Sequence, residues 1–163
     1  MSGPYWLPHT DKISLIDNFE TDAVAGTARA TCHYFPGTFP GHFPGNEIAP
    51  GLFFVGEAAA QAFGLLVRLS AAQELAQKAF WPTNIQLLLS EGSQVKPFAM
   101  IRPDQPITAY VYWDKGATDA KSVVGKVVLL KDNRLAGSAV IKGLPVSVNP
   151  ESPEQVQVII LDR

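Results

Sequence analysis

The chain has 163 residues, of which 47% are apolar and 17% charged, with a net charge of −2. That length suits one domain with a real core, and a charged share below the usual level of about 25% implies surface covered by other copies of the chain. No Lys/Arg cluster occurs, which excludes a nucleic-acid role, because phosphate binding needs grouped cations.

Residues 1–11 hold Pro4 and Pro8 and read as a leading loop. They contain no basic stretch followed by an apolar run, so no signal peptide is expected and the cytoplasm is the expected location. Residues 13–19 and 23–34 read as strands. In the second, Thr27, Arg29 and Thr31 alternate with Ala28, Ala30 and Cys32, the period of a half-buried strand. Cys32 is the only cysteine, which rules out an intrachain disulfide and suits a small apolar strand residue.

Residues 35–51 hold four prolines and four glycines. Proline fixes φ and lacks an N–H, and glycine accepts positive φ, so a long shaped loop is expected. Within it Phe-Pro-Gly occurs three times in succession, followed by Thr38, His42 and Asn46 in turn. Residues 52–69 read as a helix nearly apolar all round, introduced by Pro50-Gly51. Its length raises the question of a membrane span. Glu57, Gln61 and Arg68 answer it, since a charge at a bilayer centre costs about 2.5–3.5 kcal/mol on insertion scales. A further helical turn or two is expected over 71–79, ended by Pro82.

Beyond Pro82 the period becomes two. Strands are expected over 85–89, 107–113, 122–130 and 135–142, and an edge strand over 156–161. Residues 114–120 read as a polar turn, and Asp132-Asn133 as a hairpin turn. Strands, one long helix, then a meander describe a single α+β domain in which an antiparallel sheet wraps one helix.

Two groups stand out chemically. His42 lies between Gly41 and Phe43 in the shaped loop, and rigid loops often serve sites, although a histidine that caps a turn is the simpler reading. Glu57 stands alone in the apolar helix, with Gln61, Gly64 and Arg68 following on one face. A buried carboxylate is costly unless paired, which suits an acid that donates a proton. An ion pair with Arg68 is too distant along one helix, about three turns. His9 and His33 have no comparable surroundings. No spacing matches a metal site, and no Gly-x-Ser-x-Gly, Walker loop or dinucleotide fingerprint is present.

The run Gly41-His42-Phe43-Pro44-Gly45-Asn46, then Pro50-Gly51, then Glu57-Ala58-Ala59-Ala60-Gln61-Ala62 resembles the β-hydroxyacyl-[acyl carrier protein] dehydratases. Softer likeness spans residues 7–145, including Leu7-Pro8-His9, Leu15-Ile16-Asp17, Val95-Lys96-Pro97 and Arg102-Pro103-Asp104-Gln105. The resemblance implies a hot-dog fold and a homodimer or trimer of dimers with sites between subunits. It implies loss of water from a 3-hydroxyacyl thioester to give the trans-2-enoyl thioester. His42 would be the base at the α-carbon, and Glu57 of a second subunit would protonate the leaving hydroxyl. The Gly51 N–H would polarise the thioester carbonyl, and Gln61 would orient Glu57. Phe43, Leu52, Phe53 and Phe63 are candidates for an acyl tunnel, with plain core as the simpler reading. Phosphopantetheine on an acyl carrier protein would deliver the substrate; no cofactor, metal, nucleic acid or membrane is implied.

Two departures bear on this. Glu47 stands where the family has proline, and either raises the basicity of His42 or is solvent decoration. The family's spacing is also one residue shorter than the fifteen positions from His42 to Glu57. A regular helix would then turn Glu57 by about 100° and put Gly56 in the acid's place. The intact Glu-Ala-Ala-Ala-Gln order favours absorption of the extra residue at the helix start or in a π-bulge. A hot-dog thioesterase, isomerase or cyclase is the alternative enzyme, and a non-catalytic acyl-carrier-binding subunit the alternative without chemistry.

Overall fold

The computed structural model describes residues 14–75, 85–89, 93–103, 105–119, 121–149 and 152–158. The expected features at 1–11, at 76–79 and at Pro82, and the end of the edge strand, lie outside these residues. Among the described residues one helix, α1 (Gly51–Leu75), lies among eight strands: β1 (Ile16–Asp22), β2 (Thr27–Cys32), β3 (Ile85–Leu89), β4 (Gln94–Pro97), β5 (Ile107–Trp113), β6 (Val123–Lys131), β7 (Arg134–Asn149) and β8 (Ser152–Val158). The strands form one antiparallel sheet in the order β1-β2-β5-β6-β7-β3, and β4 and β8 also pair with β7.

The strand expected over 23–34 begins at Thr27, because residues 23–26 are the turn of the β1–β2 hairpin. Asp22 Oδ1 accepts the Ala25 N–H at 2.9 Å, a side-chain bond to the turn backbone that competes with strand extension. Asp132 (φ 49°) and Asn133 (φ 58°) are both left-handed, as a type I′ hairpin between β6 and β7 requires. β7 runs 16 residues, well past the expected Lys142. Beyond that point it pairs with β3, a partner too distant in sequence to leave a local signal, and with β8.

The helix is sunk into the sheet. Gly51–Ser70 has the length and apolarity of a membrane span, with a mean hydropathy of 1.5. Yet Phe54, Val55, Ala58, Ala59, Ala62, Phe63 and Leu66 are fully buried, in a core completed by Ile107, Ala109, Leu129 and Ile141. Each large apolar side chain so buried contributes about 1.5–3 kcal/mol. The sheet has bare spots beneath the largest helix side chains. A Cβ on Gly125 would lie 2.5 Å from the Phe63 ring, and one on Gly137 would lie 2.7 Å from Val55. Helix and sheet therefore meet in one register.

Candidate active site

The triple Phe-Pro-Gly run folds as three consecutive β-turns. Thr38 N–H donates to Phe35 O (3.1 Å), His42 N–H to Phe39 O (3.0 Å) and Asn46 N–H to Phe43 O (2.9 Å). Proline at the second position presets φ, and Gly37 and Gly45 take φ of 79° at the third, as type II turns need. The middle turn departs from this pattern. Gly41 does not take positive φ, whereas Phe43 does, at 60°. A non-glycine residue there carries local strain, of the order of 1–3 kcal/mol, a feature common where a loop presents a functional group.

The candidate this loop presents is His42, half-buried. Its Nδ1 lies 2.6 Å from the Ile48 carbonyl. A carbonyl only accepts, so Nδ1 carries a proton in this contact, and in the neutral ring Nε2 is then the nitrogen with the lone pair. Phe43 stacks edge-on against the ring at 4.8 Å. The loop is tied to the sheet through the segment after β4: Ala49 N–H (2.8 Å) and the buried Tyr34 hydroxyl (3.0 Å) both donate to Ile101 O. The Arg102 guanidinium donates to Asn46 Oδ1. Glu47 is not solvent decoration. Its carboxylate accepts the backbone N–H groups of Gly37 (2.7 Å) and Phe39 (2.8 Å).

The loop delivers the chain into α1 at Gly51. Pro50 O accepts the first helical bond, from Phe54 N–H at 2.8 Å, so the N–H groups of Gly51, Leu52 and Phe53 lack acceptors within the helix. A Cβ on Gly51 would lie 2.9 Å from the Pro97 side chain, so packing against β4 by itself requires glycine there.

Glu57 is half-buried, and the Gln61 amide donates to its Oε1 at 2.9 Å. Gln61 is itself buried, and its own oxygen accepts the Leu15 N–H at 2.9 Å. The expected polar face is thus split: Glu57, Ala60, Gly64 and Arg68 form a half-buried stripe, while Gln61 is turned inward. Burial lowers the tendency of Arg68 to hold its proton. The helix is α throughout its 25 residues, with no π-turn. The extra residue ahead of Glu57 is therefore not taken up in a bulge.

The contacts of the two candidate groups run to different partners, His42 to the Ile48 carbonyl and Glu57 to Gln61. Phe43, Leu52 and Phe53 are exposed in the single chain, at 57%, 65% and 46%. Phe63 belongs to the core, stacked edge-on against Trp113. Sequence reasoning did not assign a role to Ile48, whose carbonyl carries no side-chain signal, or see that Tyr34 anchors the loop.

A scan of protein-family models and a search of curated proteins each returned no match. Solved structures do match. The dehydratase heterocomplex ApeI:P from Xenorhabdus doucetiae superposes with a TM-score of 0.61 at 14% identity, over 90% of this chain and 91% of that one. A hypothetical thioesterase from Streptococcus pneumoniae TIGR4, solved with coenzyme A, gives 0.56 at 16% identity, over 85% and 97%. This is a hot-dog fold. The hot-dog chain is also similar to smu.793 from Streptococcus mutans UA159, bound to acetyl CoA, with a TM-score of 0.54 at 13% identity, over 85% and 97%.

Proposed function

We propose that this hot-dog protein is a hydro-lyase that removes water from a 3-hydroxyacyl thioester carried on the phosphopantetheine of an acyl carrier protein, in the cytoplasm. The observation that carries the reading is the 2.6 Å contact of His42 Nδ1 with the Ile48 carbonyl, which leaves Nε2 ready to accept a proton. In the proposed step Nε2 takes the α-proton, and the C–H pair becomes the new C=C bond. The C–O bond at the β-carbon breaks, and its pair leaves with oxygen, protonated by Glu57 to give water. Gln61 holds that carboxyl. The first-turn N–H groups at Gly51 face the charge that develops on the thioester oxygen. General acid and general base each supply typically 10²–10⁴-fold.

His42 and Glu57 come from different copies in this reading. Its support is the uncovered apolar surface beside the loop, with Phe43, Leu52 and Phe53 joined by exposed Phe98 and Met100, together with the low charge of the chain. That surface would close over an acyl chain in a homo-oligomer.

A hydrolase reading draws on the neighbour named as a thioesterase. Incubation with a 3-hydroxyacyl thioester separates the two: a conjugated enoyl thioester absorbs in the ultraviolet with the thioester intact, whereas hydrolysis releases free thiol. His42→Ala and Glu57→Gln are each expected to abolish enoyl formation while thermal unfolding stays cooperative. Thiol release without enoyl product, or full rate in Glu57→Gln, sinks the assignment.

A further inference from the structure

Glu47 is the one acidic residue inside the 35–51 loop, and nothing in the proposed chemistry uses it. Its two backbone bonds fall in an informative place. Each Phe-Pro-Gly turn satisfies one N–H by its own closure, the N–H of the residue after glycine. Proline has none. The glycine and phenylalanine N–H groups are left over from that closure; the Gly37 N–H is exposed, whereas the Phe39 N–H is half-buried and costs about 1–3 kcal/mol if unmade. Glu47 collects two of these leftovers, Gly37 N–H from the first turn and Phe39 N–H from the start of the second. One rigid carboxylate thus joins the first turn to the turn that ends in His42.

The neighbours of Glu47 in sequence complete the grip. Asn46 is held by the Arg102 guanidinium. Ile48 gives its carbonyl to His42 Nδ1 and its N–H to His42 O, at 3.5 Å. The returning segment 46–48 therefore binds both ends of the imidazole's own turn, Phe39 and His42. If Glu47 lets go, Phe39 is freed. Its carbonyl closes the His42 turn, and its ring stacks against Phe53 (5.6 Å) and Tyr34 (5.1 Å).

We infer that Glu47 is a positioning residue that fixes the turn carrying His42, and through it the Nδ1–H tautomer that leaves Nε2 as base. The kinetic part of this inference rests on the proposed lyase reading; the tautomer part does not. A residue in this role needs two acceptor oxygens, so glutamine, with one, is expected to fall between glutamate and alanine.

The test compares wild type, Glu47→Gln and Glu47→Ala by two-bond ¹H–¹⁵N correlation of the histidine rings, with His42→Ala to assign the signal, and by steady-state kinetics on a 3-hydroxyacyl thioester. Wild type is expected to show a single Nδ1–H form of His42. Glu47→Ala is expected to show both ring tautomers in exchange, with kcat per folded molecule down by about tenfold to a hundredfold, the loss typical of a misplaced catalytic group, and KM within about twofold. Glu47→Gln should show smaller changes in the same direction, and it serves alone should Glu47→Ala not fold. An unchanged His42 tautomer in both variants overturns the inference, even if they melt earlier, since that describes a merely structural clamp. Should wild type not dehydrate the substrate, the lyase reading falls, and the ring spectra still decide the role of Glu47.

Discussion

Gln61→Leu tests the most interlocked polar contact in the core. Gln61 is 1% exposed; its oxygen accepts from Leu15 N–H and its amide donates to Glu57. Leucine fills a similar volume and makes neither bond. Leu15 is also 1% exposed, so its N–H loses its acceptor where water does not reach, at a cost of about 1–3 kcal/mol. The bond to half-buried Glu57 adds about 1 kcal/mol, and the apolar gain of leucine offsets a comparable amount. The net is about 2 kcal/mol, or about 4–8 °C in melting temperature for a chain of this size. Urea unfolding should show a lower midpoint at unchanged slope, and hydrogen exchange should quicken at the Leu15 amide. Glu57→Ala removes the acceptor of the Gln61 amide and leaves the acceptor of Leu15 in place, so Leu15 should stay protected there. A loss below about 0.5 kcal/mol in Gln61→Leu, with Leu15 still protected, would refute the bridge.

Gly125→Ala should cost about 1–3 kcal/mol, read as a lower melting temperature, because its Cβ would lie 2.5 Å from Phe63, itself packed on Trp113. Cys32 should resist thiol reagents at neutral pH until the chain is unfolded, since burial first and Asp17 second push its pKa up to about 12. Below about pH 9 that thiol is neutral in both states; as pH rises toward 12 the unfolded chain ionises first, so the contribution of Cys32 to stability falls. Asp114 is held below the usual carboxylate range, first by the Lys126 hydrogen bond (2.7 Å) and then by the Ala117 N–H. Its contribution is present above that range and lost as pH falls through the lowered value. The gap in urea midpoint between wild type and Asp114→Asn should therefore shrink on acidification.

The helix and the period-two strands were legible because local pattern dictates them: β5 begins and ends where its alternation does, and β3 coincides with its apolar run. The failures share a cause. β4 is four residues ending in proline, below the length at which period speaks, and it exists because β7 offers it a partner. The tetrad repeat announced a shaped loop, but not that its middle turn would put the strain on Phe43 and not on Gly41. Glu47 was visible as a departure, yet its role depends on N–H groups eight and ten positions away, which no side-chain pattern encodes.

The extra residue between loop and acid has a structural resolution that counting from Gly51 misses. An uninterrupted α-helix turns Glu57 by about 100° from the place of residue 56. In the proposed lyase that rotation matters only if position 56 faces the substrate. Gly56 is buried, and a Cβ there would meet Val95 of β4 in ordinary contact at 3.4 Å, so position 56 faces β4. Position 57 begins the half-buried stripe that continues through Ala60, Gly64 and Arg68. The register is set instead from the far side, by Phe63 over Gly125, Val55 over Gly137 and the Gln61–Leu15 bond. With the helix so locked against the sheet, Glu57 lies on its half-buried outer stripe, where the proposed lyase would place its acid.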